Sequence, residues 1–171
     1  MDQISVSDRS ESPSPNYLAH VRRNADASFM IHHLEDHLRA VEDLAGEFAS
    51  SFGHPVWGRL AGLWHDLGKY SPAFQNYIAR GSGFDPEAHI EGGKGRVNHS
   101  SAGALHAVKQ LGGKGRLLAY LIAGHHAGLP DWHSDEHALA SLSQRLGDEQ
   151  HLQAISKVGI PIGCAPTIAS S

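Results

Sequence analysis

The sequence predicts an all-α domain, a helical bundle around one core, and three observations carry that prediction. Apolar residues recur at three- and four-residue spacing in segment after segment. Caps and stops punctuate those segments. No stretch alternates polar and apolar residues long enough to specify a strand.

Residues 1–16 (MDQISVSDRSESPSPN) are rich in Ser, Pro and acid and lack periodicity, so a disordered lead-in is expected. From Ile31 to Ser51, the residues Leu34, Leu38, Val41, Leu44, Ala45 and Phe48 fall on one helical stripe. A second helix is expected from Pro55, favoured in a first turn, to Leu67, with Gly68 as its stop. A third opens at Ser71-Pro72, a cap followed by proline, and ends before Gly81. Between Gly81 and Asn98, glycines 81, 83, 92, 93 and 95 and the absence of apolar period predict a long functional or mobile loop. Helices resume over about Ser100–Gln110, Gly115–His126 and Ser134–Leu146, the last capped by Ser134 with Asp135 and Glu136 in its first turn. From Leu152 through GIPIGCAPTIASS neither period nor charge pattern specifies an element. The expected organisation is a lead-in over 1–16, one domain over 17–151 and an irregular tail over 152–171, the truncated end of the domain.

A chain of 171 residues with 40% hydrophobic content buries one core and is too short for two ordinary domains. Its 14 Lys+Arg against 18 Asp+Glu give a net charge of -4, so no strong basic field draws in nucleic acid. A local site or a partner would have to hold such a substrate. The only cysteine, Cys164, excludes an internal disulfide framework and any thiolate zinc cluster and fits a reducing cytoplasm. Metal ligands, if any, must be His and carboxylate. The longest apolar stretch, near LLAYLIAG, is too short to cross a bilayer, and a cytoplasmic protein with no membrane partner is expected.

Fourteen histidines equal the whole Lys+Arg count, and neutral imidazole is the commonest metal-ligating side chain. His65-Asp66, in GLWHDLGKY, ends an apolar helix, where a polar pair needs partners. A divalent cation would satisfy both; a helix-end hydrogen bond between the two is the plainer alternative. His37 lies three after Leu34 and four before Val41, which turns it toward the buried stripe. His125-His126 terminates another apolar helix, and His99 stands directly before a helix start. Each alone is ordinary: a core histidine, a pair favoured by a helix C-terminus, a cap. Together they place imidazoles and a carboxylate at several helix ends. His32 and His33 stand near His37 and could replace it if the register is misread. His20, His54, His89, His106, His133, His137 and His151 receive no role, and Trp57, Trp64 and Trp132 are read as core or rim packing.

The segment HDLGKYSPAFQNYI, with LEDHLRAVEDLAGEFA upstream and VNHSSAGALHAV and IAGHHAGLPDW downstream, resembles the HD-type nuclease domain of the CRISPR-associated helicase-nuclease of type I systems. The similarity runs from about Tyr17 to about Leu146. It is specific, because the wider HD superfamily shares the His-Asp pair but not SPAFQ or GHHAGLPDW. The resemblance implies an HD-superfamily helical bundle with a central metal site that cuts single-stranded DNA. It implies one or two divalent metal ions (Mn, Fe, Co, Ni, Zn or Mg), and as partners a CRISPR helicase subunit and a target-bound effector complex. Carried over by position, the metal ligands would be His37, His65, Asp66, His99, His125 and His126, with Asp66 bridging two ions. The catalytic residues would be His65, Asp66 and Lys69, the lysine steadying the scissile phosphate. A solvated lysine on the helix dipole is the alternative for Lys69.

Family members carry one further aspartate on a later helix, at the first metal position. After His126 the aspartates are Asp131, Asp135 and Asp148, none in a matching context, and no helicase sequence follows. A stand-alone or truncated nuclease domain of low activity is therefore expected, with the histidine-rich second position binding metal more tightly. Two other functions compete. One is an HD phosphohydrolase acting on nucleotides or cyclic dinucleotides; the other is a non-catalytic remnant that docks to the helicase.

Overall fold

The chain enters the fold through an antiparallel hairpin, β1 (Leu18–Arg23) and β2 (Phe29–His33), that the sequence reading did not contain. Strands of six and five residues are too short for alternation to stand out, and much of their stability comes from what they touch. Asp26 accepts from the Ser28 backbone N–H at 3.0 Å in the connecting turn, where Ala27 adopts φ 65°. The first strand is fastened to the helical body: the Leu34 N–H donates to the Tyr17 carbonyl at 2.7 Å, and the Gln75 side chain both accepts from and donates to the Leu18 backbone at 2.9 and 3.0 Å. Ile31, His32 and His33 are therefore strand residues rather than the start of the first helix.

All other elements are helical, as expected. A computed structural model describes residues 16–84, 97–126, 128–133 and 141–156; all but the last residue of the expected lead-in over 1–16, most of the glycine-rich loop and residues 157–171 of the expected tail lie outside them. Helix α1 (Leu34–Ser50) packs along α2 (Pro55–Trp64). Leu34 and Leu38 of the expected stripe are buried, whereas Leu44 and Phe48 are 51% and 68% exposed, because α2 covers only part of that face. Helix α2 stops at Trp64, not Leu67: His65 and Asp66 form a turn, and a single 3-10 turn follows over Leu67–Tyr70. The HD pair thus stands beyond the helix rather than at its end. Ser71 then caps α3 (Pro72–Ser82), its hydroxyl accepting from the Phe74 N–H at 3.3 Å. That helix runs through Gly81 and stops at Gly83, whose φ of 74° gives a left-handed cap.

Helices α4 (Ser100–Leu111) and α5 (Gly115–Gly124) form the second packed pair. The small buried Ala102, Ala104 and Ala107 let the α4 backbone come close to its neighbours. A Cβ on Gly103 would lie only 1.9 Å from the Trp64 carbonyl oxygen, so only glycine lets α4 sit on the end of α2. Ser141 is extended and caps α6 (Leu142–Gly147) in a capping box with Gln144, so the helix does not run through from Ser134; residues 134–140 lie outside those described. Helix α7 (Gln150–Ser156) extends past the domain boundary expected at His151, and its Ile155 is buried in the core. Seven residues with one deeply buried apolar side chain carry too little periodicity to be recognised. The core consists of Leu34, Leu38, Leu60, Leu63, Trp64, Leu67, Tyr70, Leu118, Ile122, Leu142 and Ile155 with the α4 alanines. Among the described residues no helix is long and apolar enough to cross a membrane.

Candidate metal centre

The two helix pairs meet where the HD turn abuts the start of α4. The Gly68 N–H donates to the His99 carbonyl at 3.1 Å, and a Cβ on Gly68 would come within 2.1 Å of that oxygen. The glycine expected to stop α2 acts instead as the contact between two site segments. His99 occupies the N-cap position of α4, but its ring does not cap. Asn98 does so, its carbonyl oxygen accepting from the Ser101 N–H at 3.2 Å, which leaves the His99 ring available to the site. His125 and His126 follow α5, and His37 lies one turn into α1.

All six expected ligands come together, in two groups that share Asp66: His37, His65 and Asp66 in one, and Asp66, His99, His125 and His126 in the other. The carboxylate divides between them. Oδ2 lies 3.1 Å from His37 Nε2 and 3.1 Å from His65 Nε2, which are themselves 3.2 Å apart. Oδ1 lies 3.4 Å from both His99 Nε2 and His125 Nε2. Donors each roughly 2.0–2.1 Å from a common ion stand about 3 Å apart, close to the 3.1 and 3.4 Å at which the Asp66 oxygens meet four of these imidazoles.

The hydrogen bonds behind the rings set which nitrogen faces inward. A carbonyl oxygen only accepts, so the Nδ1 atoms of His65, His99 and His125 carry the proton they donate to Gly62, Val97 and Ile122 at 2.6, 3.2 and 2.7 Å. Their rings therefore turn Nε2 toward the Asp66 carboxylate. Such a cluster needs cations between its members, either added protons or metal ions. Asp66 Oδ1 and His99 Nε2 are buried without a hydrogen bond among the described residues. A proton is disfavoured at His99, whose pKa burial pushes down to about 4 against the pull of Asp66. Burial also opposes charge on Asp66, but hydrogen bonding with His125, His37 and His65 outweighs it and holds the carboxyl well below the usual range. An ionised carboxylate amid inward-facing imidazole nitrogens fits a divalent ion.

Residues 18–158 match the family described as "Cas3, HD domain". The chain belongs to that family. Among curated proteins none matches it. Membership makes this an HD-type nuclease domain of CRISPR defence, a metal-dependent hydrolase whose His/Asp cluster could hold the metal.

Lys69 of this Cas3 HD domain is neither solvated nor open to solvent for a phosphate. It is 3% exposed, with Nζ 2.8 Å from Asp66 Oδ2 and donating to the Ala19 carbonyl at 3.3 Å. Burying an ammonium requires such pairing, and the pair ties the HD turn to β1. Asp131 is exposed and Asp148 pairs with His151 at 3.7 Å, so neither joins the donor groups; Asp135 lies outside the described residues.

Several supporting residues carried little sequence signal. Gln75, within SPAFQ, also donates to the Lys69 carbonyl at 2.7 Å. Arg145 donates to Ser100, Ser101 and the Ala123 carbonyl at 2.7, 2.8 and 3.2 Å, joining α6 to the ends of α4 and α5 beside both histidine segments. His20, given no role, packs edge-on against His37 with ring centroids 4.9 Å apart. Asn98 was legible in principle, as an Asn three residues before a helical N–H.

Proposed function

We propose that this domain cuts single-stranded DNA as a metal-dependent phosphodiesterase in CRISPR interference, working with a helicase at a target-bound effector complex. The observation that carries the reading is the division of Asp66, one oxygen toward each group of histidines, an arrangement suited to two ions sharing a carboxylate. When bound, such ions supply an activated water at neutral pH and offset the charge that develops at phosphorus during in-line displacement.

The chain's own residues prepare for that chemistry. Backbone carbonyls lock the rings of His65, His99 and His125 with Nε2 inward, so no reorientation precedes binding. Lys69 anchors the Asp66 carboxylate through Oδ2 at 2.8 Å. His125 and His126, the exposed members of the second group, lie where that group meets solvent and a phosphate could approach. No side chain need act as a nucleophile. With a net charge of -4, the domain depends on this local site and its partners to retain DNA.

The test is cleavage of an end-labelled single-stranded oligonucleotide by the wild-type chain and Asp66→Asn, with manganese, cobalt, nickel or magnesium. Metal-dependent cutting by the wild type alone is expected. Cutting that survives in Asp66→Asn would refute the metal centre, and hydrolysis of nucleotides or cyclic dinucleotides in place of DNA would refute the substrate.

A further inference from the structure

We propose that His20 is an additional protein ligand at the first metal position, carried to it by a bulge in the β-hairpin. This rests on the metal-centre reading above. The first group has His37, His65 and the Asp66 oxygen that Lys69 also holds, so it has fewer donors than the second. Among the described residues no further carboxylate completes it.

What lies beside it is a pair of histidines. His20 and His32 are cross-strand partners, and their rings stand edge-on to His37 at 4.9 and 5.4 Å between centroids. Their placement follows from the register. Leu18 pairs with His33, yet His20 pairs with His32, so two steps along β1 match one along β2. Regular alternation would set His20 opposite Ile31; the extra residue, Ala19, turns into the core at 1% exposure and delivers His20 beside His32 and His37. Bulges re-aim side chains in this way and recur beside active sites.

The backbone before His20 is held by the site's own segments. Gln75 clamps Leu18 and also bonds the Lys69 carbonyl, while Lys69 Nζ bonds Ala19 on one side and Asp66 on the other. His20 therefore starts one residue from an atom hydrogen-bonded to the Lys69 ammonium that contacts Asp66. The ring itself is exposed and can turn about its side-chain torsions onto an ion held by His37 and Asp66 without moving the strand. His32, on the partner strand, lies farther from His37 and is assigned no ligand role.

The test is cobalt(II) binding to the wild-type chain, His20→Ala and His32→Ala, followed by calorimetry and by visible absorption, whose intensity reports the geometry and protein donors around the ion. Circular dichroism of the metal-free variants monitors folding, which an exposed side chain should leave unchanged. The expected result is a His20→Ala protein in which one binding step weakens at least about tenfold with altered absorption, the other persists, and His32→Ala behaves as wild type. Superimposable titrations of His20→Ala and wild type would overturn the assignment and leave the metal centre intact. Equal weakening in both variants would also overturn it, by showing an effect of the hairpin rim as a whole. No cobalt uptake by any of the three would overturn this inference together with the metal centre.

Discussion

Asp66 couples chemistry and stability in one side chain. Its charge is the shared donor of both groups and also the only carboxylate paired with the buried Lys69 ammonium among the described residues. Truncating it should abolish cleavage, and it should also leave a buried cation unpaired, costing about 3–5 kcal/mol. Asp66→Ala is thus expected to fold less stably as well as to lose activity. The double variant Asp66→Asn/Lys69→Met separates the two effects: denaturant unfolding should show stability recovered relative to Asp66→Ala, with cleavage still absent. Recovery of cleavage in that variant would mean that the carboxylate serves packing alone.

Between elements, the site depends on one backbone contact and one arginine. Gly68→Ala places a methyl against the His99 carbonyl, and the HD turn and the start of α4 must then separate. Overpacking of this kind costs about 1–3 kcal/mol, and it should weaken metal binding as well, since His99 moves away from Asp66. Chemical denaturation and calorimetry on one preparation would test both; a stable variant with normal affinity would contradict the docking role. Arg145→Ala removes three hydrogen bonds at the junction of α4, α5 and α6. Its expected loss is about 1–3 kcal/mol, with weaker binding at the second group while the first is spared.

The whole molecule should weaken in acid for a reason visible in its histidines. Burial lowers the pKa of His99 to about 4, and it also lowers that of His106, packed edge-on against Trp64. Each therefore titrates below its unfolded value of 6.5. Between about 6.5 and about 4 the unfolded chain binds more protons than the folded one, so stability is full above 6.5 and is lost as pH falls through that window. Melting temperatures of the metal-free chain should decline from pH 7.5 to pH 5. A metal-loaded sample should start higher, by about 2.7 kcal/mol at a hundredfold excess over Kd, and fall more steeply because protons compete for the same nitrogens. A melting temperature independent of pH, or one that rises toward pH 5, would contradict this.

The sequence by itself determined the helical class, the α3 cap at Ser71 and the segments from which the six donors come. Caps, stops and helical spacing are local signals, written within a few residues of where they act. The family was legible for a similar reason, since HDLGKYSPAFQ and GHHAGLPDW are contiguous. Contacts between distant segments were not. The hairpin is stabilised by Gln75 and Lys69, more than forty residues away from β1, and no alternation within LAHVRR announces it. The end of α2 at Trp64 was misplaced because the chain leaves the helix to dock Gly68 on His99, a tertiary contact that overrides apolar spacing. A lone lysine in sequence gives no sign of its partner, so Lys69 reads there as steadying a phosphate, or alternatively as solvated; burial beside Asp66 decides its place. His20 was passed over because its neighbour His37 is sequence-distant, and only a bulge in a strand pairing brings the two rings together. Composition and short motifs name the donors, whereas long-range packing decides which atoms face one another, since side-chain direction depends on register and docking that no local window contains.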